Sequence, residues 1–174
     1  MKRIIIILFF AGIATVGLAQ TKVKVEPKWQ DFSTTVNAPE QEKITMIYVY
    51  NVPCDLCTTI EETILADSTV IKALAKDFIS TKFDSETKED VVVKDKTYPY
   101  SAFTETNGVN IYAIALLNGK MGFPTFVFLD KEGEKIGSHF PVKETEEFLQ
   151  ILKYYSSGDY KDEETPFEEW IKKQ

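Results

Sequence analysis

The chain has 174 residues, with 27 acidic side chains against 20 basic ones and a formal net charge of −7. That length fits one domain able to bury a sizeable core. Arg3 is the sole arginine, which excludes a phosphate-reading basic surface and, with it, a nucleic-acid partner.

Residues 1–19 read as an export signal. Lys2 and Arg3 precede an apolar run over residues 4–18, and Gly17-Leu18-Ala19 is a small-x-small cleavage pattern. The run is shorter than the roughly 20 residues of a membrane span, and no cysteine follows it to carry a lipid. Cleavage therefore leaves no membrane segment. Loss of Lys2 and Arg3 moves the formal charge from −7 to −9, because residues 1–20 contain no Asp or Glu. The expected organisation is a signal peptide (1–19), a polar lead-in (20–28) and one folded domain (29–174). Export delivers the chain to a compartment where disulfides persist.

Trp29, Phe32 and Val36 recur at helical spacing and predict a short helix ended by Pro39. Residues 43–50, KITMIYVY, are β-branched, aromatic and apolar on both faces, as in a buried strand of a largely parallel sheet. After Cys57 the period changes. Ile60, Ile64 and Leu65 share one helical face, Asp67-Ser68 breaks it, and Val70, Ile71 and Leu74 begin a second helix. Residues 78–83 predict another strand. The order strand, Cys-x-x-Cys, helix, strand is a βαβ unit with the cysteines at the strand-to-helix turn.

Residues 85–107 are polar, with a β-like run at Val91-Val92-Val93 and a turn signal at Tyr98-Pro99-Tyr100, and predict an inserted loop or hairpin. Val109, Tyr112, Ala113, Leu116 and Leu117 predict a helix ending at Asn118-Gly119. Residues 122–130, GFPTFVFLD, predict a strand with Pro124 near its start, where a missing N–H is tolerated. Asp130-Lys131-Glu132-Gly133 supplies a tight turn, and residues 134–140 return as the hairpin partner. Phe148, Ile151, Leu152 and Tyr155 follow i, i+3, i+4, i+7 spacing. Thr165-Pro166-Phe167-Glu168 reads as a capping box opening a C-terminal helix.

Cys54 and Cys57 are the only cysteines. Two placed at random would stand three apart in roughly one case in a hundred, so the spacing points to a function. At a helix N-terminus, unpaired N–H groups and the helix dipole stabilise a thiolate on Cys54. Cys57, one turn on, is placed to resolve a mixed disulfide formed there. The alternative is a stabilising disulfide. A four-residue ring removes only about 2 kcal/mol of unfolded-chain entropy, against about 3 for a 15-residue loop, so a staple would serve better across distant segments. A structural zinc needs four ligands, and two thiols with the single histidine, His139, do not supply them. No metal is expected. His139 reads as a surface residue at a strand end, and Phe123 as the one aromatic with a rim position near a substrate.

With these residues in hand, the sequence resembles the thioredoxin superfamily. The likeness rests on KITMIYVYNV, on Cys54-Asp55-Leu56-Cys57 opening a helix, and on residues 123–130 followed by Gly133. It is similar in particular to exported thioredoxin-like domains such as the C-terminal domain of DsbD-type thiol:disulfide interchange proteins, whose pattern CDLCTTIEETILADSTVIKALAKDF follows. The resemblance spans most of residues 29–155. It implies an α/β, thioredoxin-like fold: a central mixed β-sheet flanked by helices, with residues 85–107 inserted before the cis-Pro strand and an extra C-terminal helix. It further implies a redox-active Cys54–Cys57 disulfide, a cis Pro124 beside the cysteines, and a Phe123 backbone that pairs with an extended substrate segment. Glu61 matches the carboxylate that influences the protonation of the thiols in that domain.

The implied activity is thiol:disulfide exchange in the reducing direction, without a cofactor, in the bacterial periplasm. Its partners would be proteins bearing disulfides or thiols and a redox protein supplying electrons. Three positions depart from the family pattern. Tyr48 stands where thioredoxins place an Asp, Pro53 replaces an aromatic and Thr58 replaces a Lys or Arg. Proton delivery to Cys57 then rests on Glu61, Tyr48 or water. Asp55 either raises the pKa of the Cys54 thiol and makes the pair less oxidising, or simply favours the helix N-terminus. A non-catalytic polypeptide-binding module with a structural disulfide is the competing reading. A thiol peroxidase fares badly, since such sites need an Arg beside the reactive thiol.

Overall fold

A computed structural model of the chain describes residues 26–105, 107–162 and 164–174. The signal-peptide reading, and the lead-in as far as residue 25, lie outside the described residues. Trp29–Gln30 forms β1, and helix α1 (Phe32–Val36) follows it. Trp29 thus belongs to a strand and not to the expected helix. Its backbone pairs with a strand about 50 residues later, a contact that local periodicity does not encode. Asp31 caps α1, accepting the Thr34 N–H at 2.8 Å, and hydrogen bonding from Thr34 holds its carboxyl below the usual range.

The apolar run becomes β2 (Ile44–Tyr50), with residues 44–49 all buried. Helices α2 (Asp55–Thr63) and α3 (Ser68–Asp77) come next, the latter capped by the Asp67 carboxylate on the Thr69 and Val70 N–H groups. β3 (Phe78–Asp84) lies parallel to both β2 and β1. Further on, α4 (Ile111–Leu116) precedes a hairpin whose two strands join the antiparallel side of the sheet. Between β3 and α4 come the short strands β4 (Val91–Val93), β5 (Lys96–Tyr98), β6 (Tyr100–Ala102) and β7 (Gly108–Asn110), and after α4 come β8 (Thr125–Leu129) and β9 (Lys135–His139). The resulting five-stranded mixed sheet runs β1-β3-β2-β8-β9. Gly133, at φ 79°, makes the β8–β9 turn, where the Asp130 carboxylate accepts the Glu134 N–H at 2.7 Å.

Alternation along the central strands sends successive side chains to opposite faces. One face carries Met46, Tyr48, Phe126 and Phe128, buried with Ile60, Leu74, Phe148 and Ile151 of α2, α3 and α5 (Thr145–Ser157). The other carries Ile47, Val49, Val127 and Leu129, buried with Val36 of α1 and Tyr112, Ala113 and Leu116 of α4. Helices on both faces are the reason the strands are apolar throughout.

Residues 85–107 fold as more than one loop. β4 and β5 form a hairpin through Lys94 and Asp95, both with positive φ (47° and 64°). That matches the primed turns favoured in two-residue hairpins, here without the usual Gly or Asn. β6 and β7 form a second hairpin reaching Asn110, so Val109 lies in a strand and not in the helix expected there. The side chain of Asn110 caps α4 by accepting the Tyr112 N–H at 2.9 Å. At the C-terminus, α6 (Phe167–Trp170) is the extra helix, but the capping box does not form. Pro166 occupies the N-cap, and no side chain caps the helix.

Candidate functional site

β2 ends at Tyr50, and three residues carry the chain to Cys54, the N-cap of α2. Cys54 and Cys57 are joined by a disulfide. The two sulfurs occupy different environments: Cys57 is 5 % exposed, whereas Cys54 is only half-buried. The Cys57 N–H donates to Cys54 Sγ at 3.0 Å. This helix-terminal donor is aimed at the more exposed sulfur of the pair. Asp55 is the first residue of α2 and is exposed.

The antiparallel register pairs Val49 with Thr125. Carried one residue further, it sets Pro124 across from Tyr50, at the end of β2 from which the cysteine loop departs. The Phe123–Pro124 bond is cis, as are Val52–Pro53 and Phe140–Pro141. Phe123 is half-buried and packs against both cores.

Beneath Cys57, Tyr48 is wholly buried and donates its hydroxyl to the Cys57 carbonyl at 3.2 Å. Burial, then the charges of Glu61 and Tyr50, push its pKa above the ordinary tyrosine value. Tyr48 therefore holds its proton at neutral pH. Glu61 lies four residues after Cys57 on α2, the spacing that puts two side chains on one helical face. Its carboxylate pairs with Lys82 of β3 at 3.2 Å. Lys82 was not among the residues singled out in the sequence. Its Nζ sits 4.7 Å from the centre of the Trp29 ring and 5.7 Å from that of Tyr48, and lies 4.0 Å from the Glu26 carboxylate. A lysine at an inward strand position beside a helix glutamate was the available signal, and it emerges only once β3 is registered on β2.

The insertion borders the site. Ser85 donates its N–H to the Tyr50 carbonyl at 2.8 Å, Asn51 bonds the Glu86 carboxylate at 3.2 Å, and Asn110 donates its N–H to the Ser85 carbonyl at 2.7 Å. His139, in contrast, finds its partners elsewhere and is half-buried instead of lying at the surface. It ends β9, hydrogen-bonds Tyr155 at 3.0 Å and meets Phe128 and Phe167 edge-on. Among the described residues, no three His, Cys, Asp or Glu side chains gather as a metal site.

The chain is similar in structure to a thioredoxin-fold protein from Helicobacter pylori, with a TM-score of 0.59 and 15 % identity over 83 % of this chain and 86 % of that one. It is also similar to a thioredoxin from Thermus thermophilus, with a TM-score of 0.51 and 21 % identity over 74 % of this chain and 86 % of that one. These likenesses bear on the fold. Among curated proteins no match is found. The family model of the thioredoxin-like domain matches residues 32–156, a span that contains both cysteines and Pro124. The chain therefore belongs to the thioredoxin-like domain family, whose fold, carrying a Cys-x-x-Cys disulfide, supports thiol–disulfide oxidoreductase chemistry on thiol-containing proteins.

Proposed function

We propose that the protein is an exported thiol:disulfide reductase of the bacterial periplasm, in the manner of DsbD-type C-terminal domains, with Cys54 as attacking thiol and Cys57 as resolving thiol. The observation that carries this reading is the asymmetry of the pair. Cys54 is the accessible sulfur at the mouth of α2 and receives the Cys57 N–H, while Cys57 is buried beside Tyr48 and Glu61.

In the reduced protein the Cys54 thiolate attacks one sulfur of a partner disulfide. A mixed disulfide forms, and the partner's other sulfur leaves as a thiolate that takes a proton from water. Cys57 then gives up its proton, with Glu61 as the nearby carboxylate to receive it, and attacks the Cys54 sulfur. The partner's second thiol leaves, and the Cys54–Cys57 disulfide is restored. Two electrons have moved to the partner, and the dithiol of a redox protein must replace them. Phe123 and Pro124 are assigned to hold the partner's extended backbone. The exposed Asp55 favours the reducing direction by placing negative charge beside the thiolate.

With a disulfide substrate and a supply of reductant, Cys54→Ser should abolish turnover, and Cys57→Ser should accumulate mixed disulfides that identify the partners. The measured reduction potential separates this reading from a structural bridge, which belongs below about −300 mV. A lower value, or full activity in Cys54→Ser, defeats the mechanism.

A further inference from the structure

Several cations of this acidic chain face carboxylates: Lys82 faces Glu61, Lys94 faces Glu134 and Lys172 faces Glu169. One cleft departs from that pattern. It lies between the turn after α4 and edge strand β9 and encloses about 350 Å³, with Asn118, Lys120, Thr125, Lys135, Ser138 and Phe140 among its walls and, among the described residues, no Asp or Glu lining it. Lys135 gives one N–H to the Leu116 carbonyl at 2.6 Å, at the C-terminal end of α4. Its pKa is lowered, first by burial and then by the charge of Lys120. Two ammonium groups thus share a cleft whose walls carry no counter-charge, and an anion entering it would relieve their repulsion.

The cleft shares a wall with the loop before Pro124. Thr125 donates its hydroxyl to the Gly122 carbonyl at 2.6 Å. The Phe140 ring lies so close over Gly122 that a Cβ there would stand 2.6 Å from it. Phe140 and Met121 are both exposed apolar side chains, at 50 % and 42 %. Lys120 is four residues before Pro124 and Thr125 directly follows it, so the Lys120 end of the cleft adjoins the Phe123-Pro124 segment, while Lys135, paired with Leu129, enters the cleft from the far end of β8.

We propose that this cleft is an anion subsite of the partner-binding face, taking the carboxylate of an Asp or Glu near the disulfide of the partner polypeptide. The proposal rests on the exchange reaction assigned above and specifies its substrates. An acidic chain repels acidic partners overall, so a preference for them requires such a local cationic seat. Inorganic phosphate shares the chemistry and is the competing occupant.

The test uses two disulfide peptides that differ only in flanking glutamates against glutamines. The expected result is a KM about threefold lower for the glutamate peptide, the size of an exposed ion-pair effect. Lys120→Gln should erase that difference, with the glutamine peptide as the reference for any effect of the substitution on turnover itself. Equal KM values for the unaltered protein, or a preference that survives both Lys120→Gln and Lys135→Gln, overturn the proposal. Chemical-shift titration with a cysteine-free glutamate peptide gives an answer independent of turnover. Shifts at residues 118–120 and 138 that vanish in Lys120→Gln support the subsite, even if neither disulfide peptide is reduced and the exchange reading falls. Shifts with inorganic phosphate but not with the peptide, or with neither, overturn it.

Discussion

Two tyrosines buried in the same core sit in unlike surroundings. Tyr48 gives its hydroxyl to the Cys57 carbonyl, stacks on Tyr50 and stands beside the Glu61–Lys82 pair. Tyr155 hydrogen-bonds His139, stacks on Phe128 with ring centres 4.1 Å apart, and adjoins the cluster of Tyr154, Phe167 and Trp170. Burial raises the pKa of both hydroxyls. A carboxylate adds to burial at each, Glu61 at Tyr48 and Glu168 at Tyr155, and the difference lies in the Lys82 ammonium beside Tyr48. Around Tyr48 stands an ion pair, Glu61 of the helix that carries Cys57 and Lys82 of β3. Around Tyr155 stand mostly rings, with the Glu168 carboxylate at their margin, and the arrangement clasps the C-terminal segment to the sheet. One region is built for chemistry and the other for cohesion, so substitutions should separate activity from stability.

The largest effect belongs to the clasp. Trp170 is 6 % exposed and its indole N–H bonds the Asp159 carboxylate at 2.7 Å. Trp170→Ala should cost about 3–5 kcal/mol of unfolding free energy, as large-to-small core changes do, with the reduction potential unchanged. Urea unfolding and redox equilibration on the same samples check both halves. A shifted potential would mean that the two regions are coupled.

A titration probes the same clasp more gently. Burial drives the pKa of His139 down to about 4, against the opposing charges of Glu168 and Glu147. The neutral ring is thus favoured in the folded state. Its contribution is complete above the unfolded pKa of about 6.5 and is lost as pH falls through the folded value. The full loss is about 3 kcal/mol, less in so far as the half-buried ring meets water. Unfolding measured at pH 7.5, 5.5 and 4 should show this decline, and His139→Gln should flatten it relative to the unaltered protein. Parallel curves for the two proteins would remove His139 from the acid response.

These two regions also differ in how far the sequence discloses them. The redox centre is written locally: KITMIYVY, Cys54-Asp55-Leu56-Cys57 and GFPTFVFLD each carry a strand or helix signal in a few adjacent letters. The central strands and the α2–α3 pair follow directly from those signals. The clasp is assembled from β9, α5 and α6, so nothing near His139 announces that Tyr155 and Phe167 will enclose it. Lys82 escapes notice for the same reason, being 21 residues from Glu61. β1 is two residues long and exists only because β3 offers it an edge. The hairpin at Lys94-Asp95 lacks the Gly or Asn that normally marks such a turn. Periodicity reports which face of an element is buried, and it is blind to what buries it.

On the chemical side, Lys82→Met removes the cation that faces Glu61. Both side chains are mostly buried, at 25 % and 21 % exposure, so the pair is only partly screened. The pH profile of the resolving step, followed by decay of a pre-formed mixed disulfide on Cys54, should move to higher pH, because a carboxylate that loses an opposite charge takes up its proton more readily. Glu61→Gln should abolish that titration. An unmoved profile in Lys82→Met would show that the pair is structural.

Tyr48→Phe should have the smallest effect and the most diagnostic one. The ring and its packing against Tyr50 and Phe126 are kept, and only the hydrogen bond to the Cys57 carbonyl is lost. That carbonyl lies in the first turn of α2, so the change loosens the helix start by about 1 kcal/mol. Because the raised pKa keeps the Tyr48 hydroxyl protonated, its removal should leave the pH profile of the resolving step where it was and alter the rate by no more than a few-fold. If Tyr48→Phe instead moves the profile as far as Lys82→Met does, the tyrosine is itself the proton carrier. The contrast with Tyr155 would then be one of proton transfer as well as of neighbouring charge.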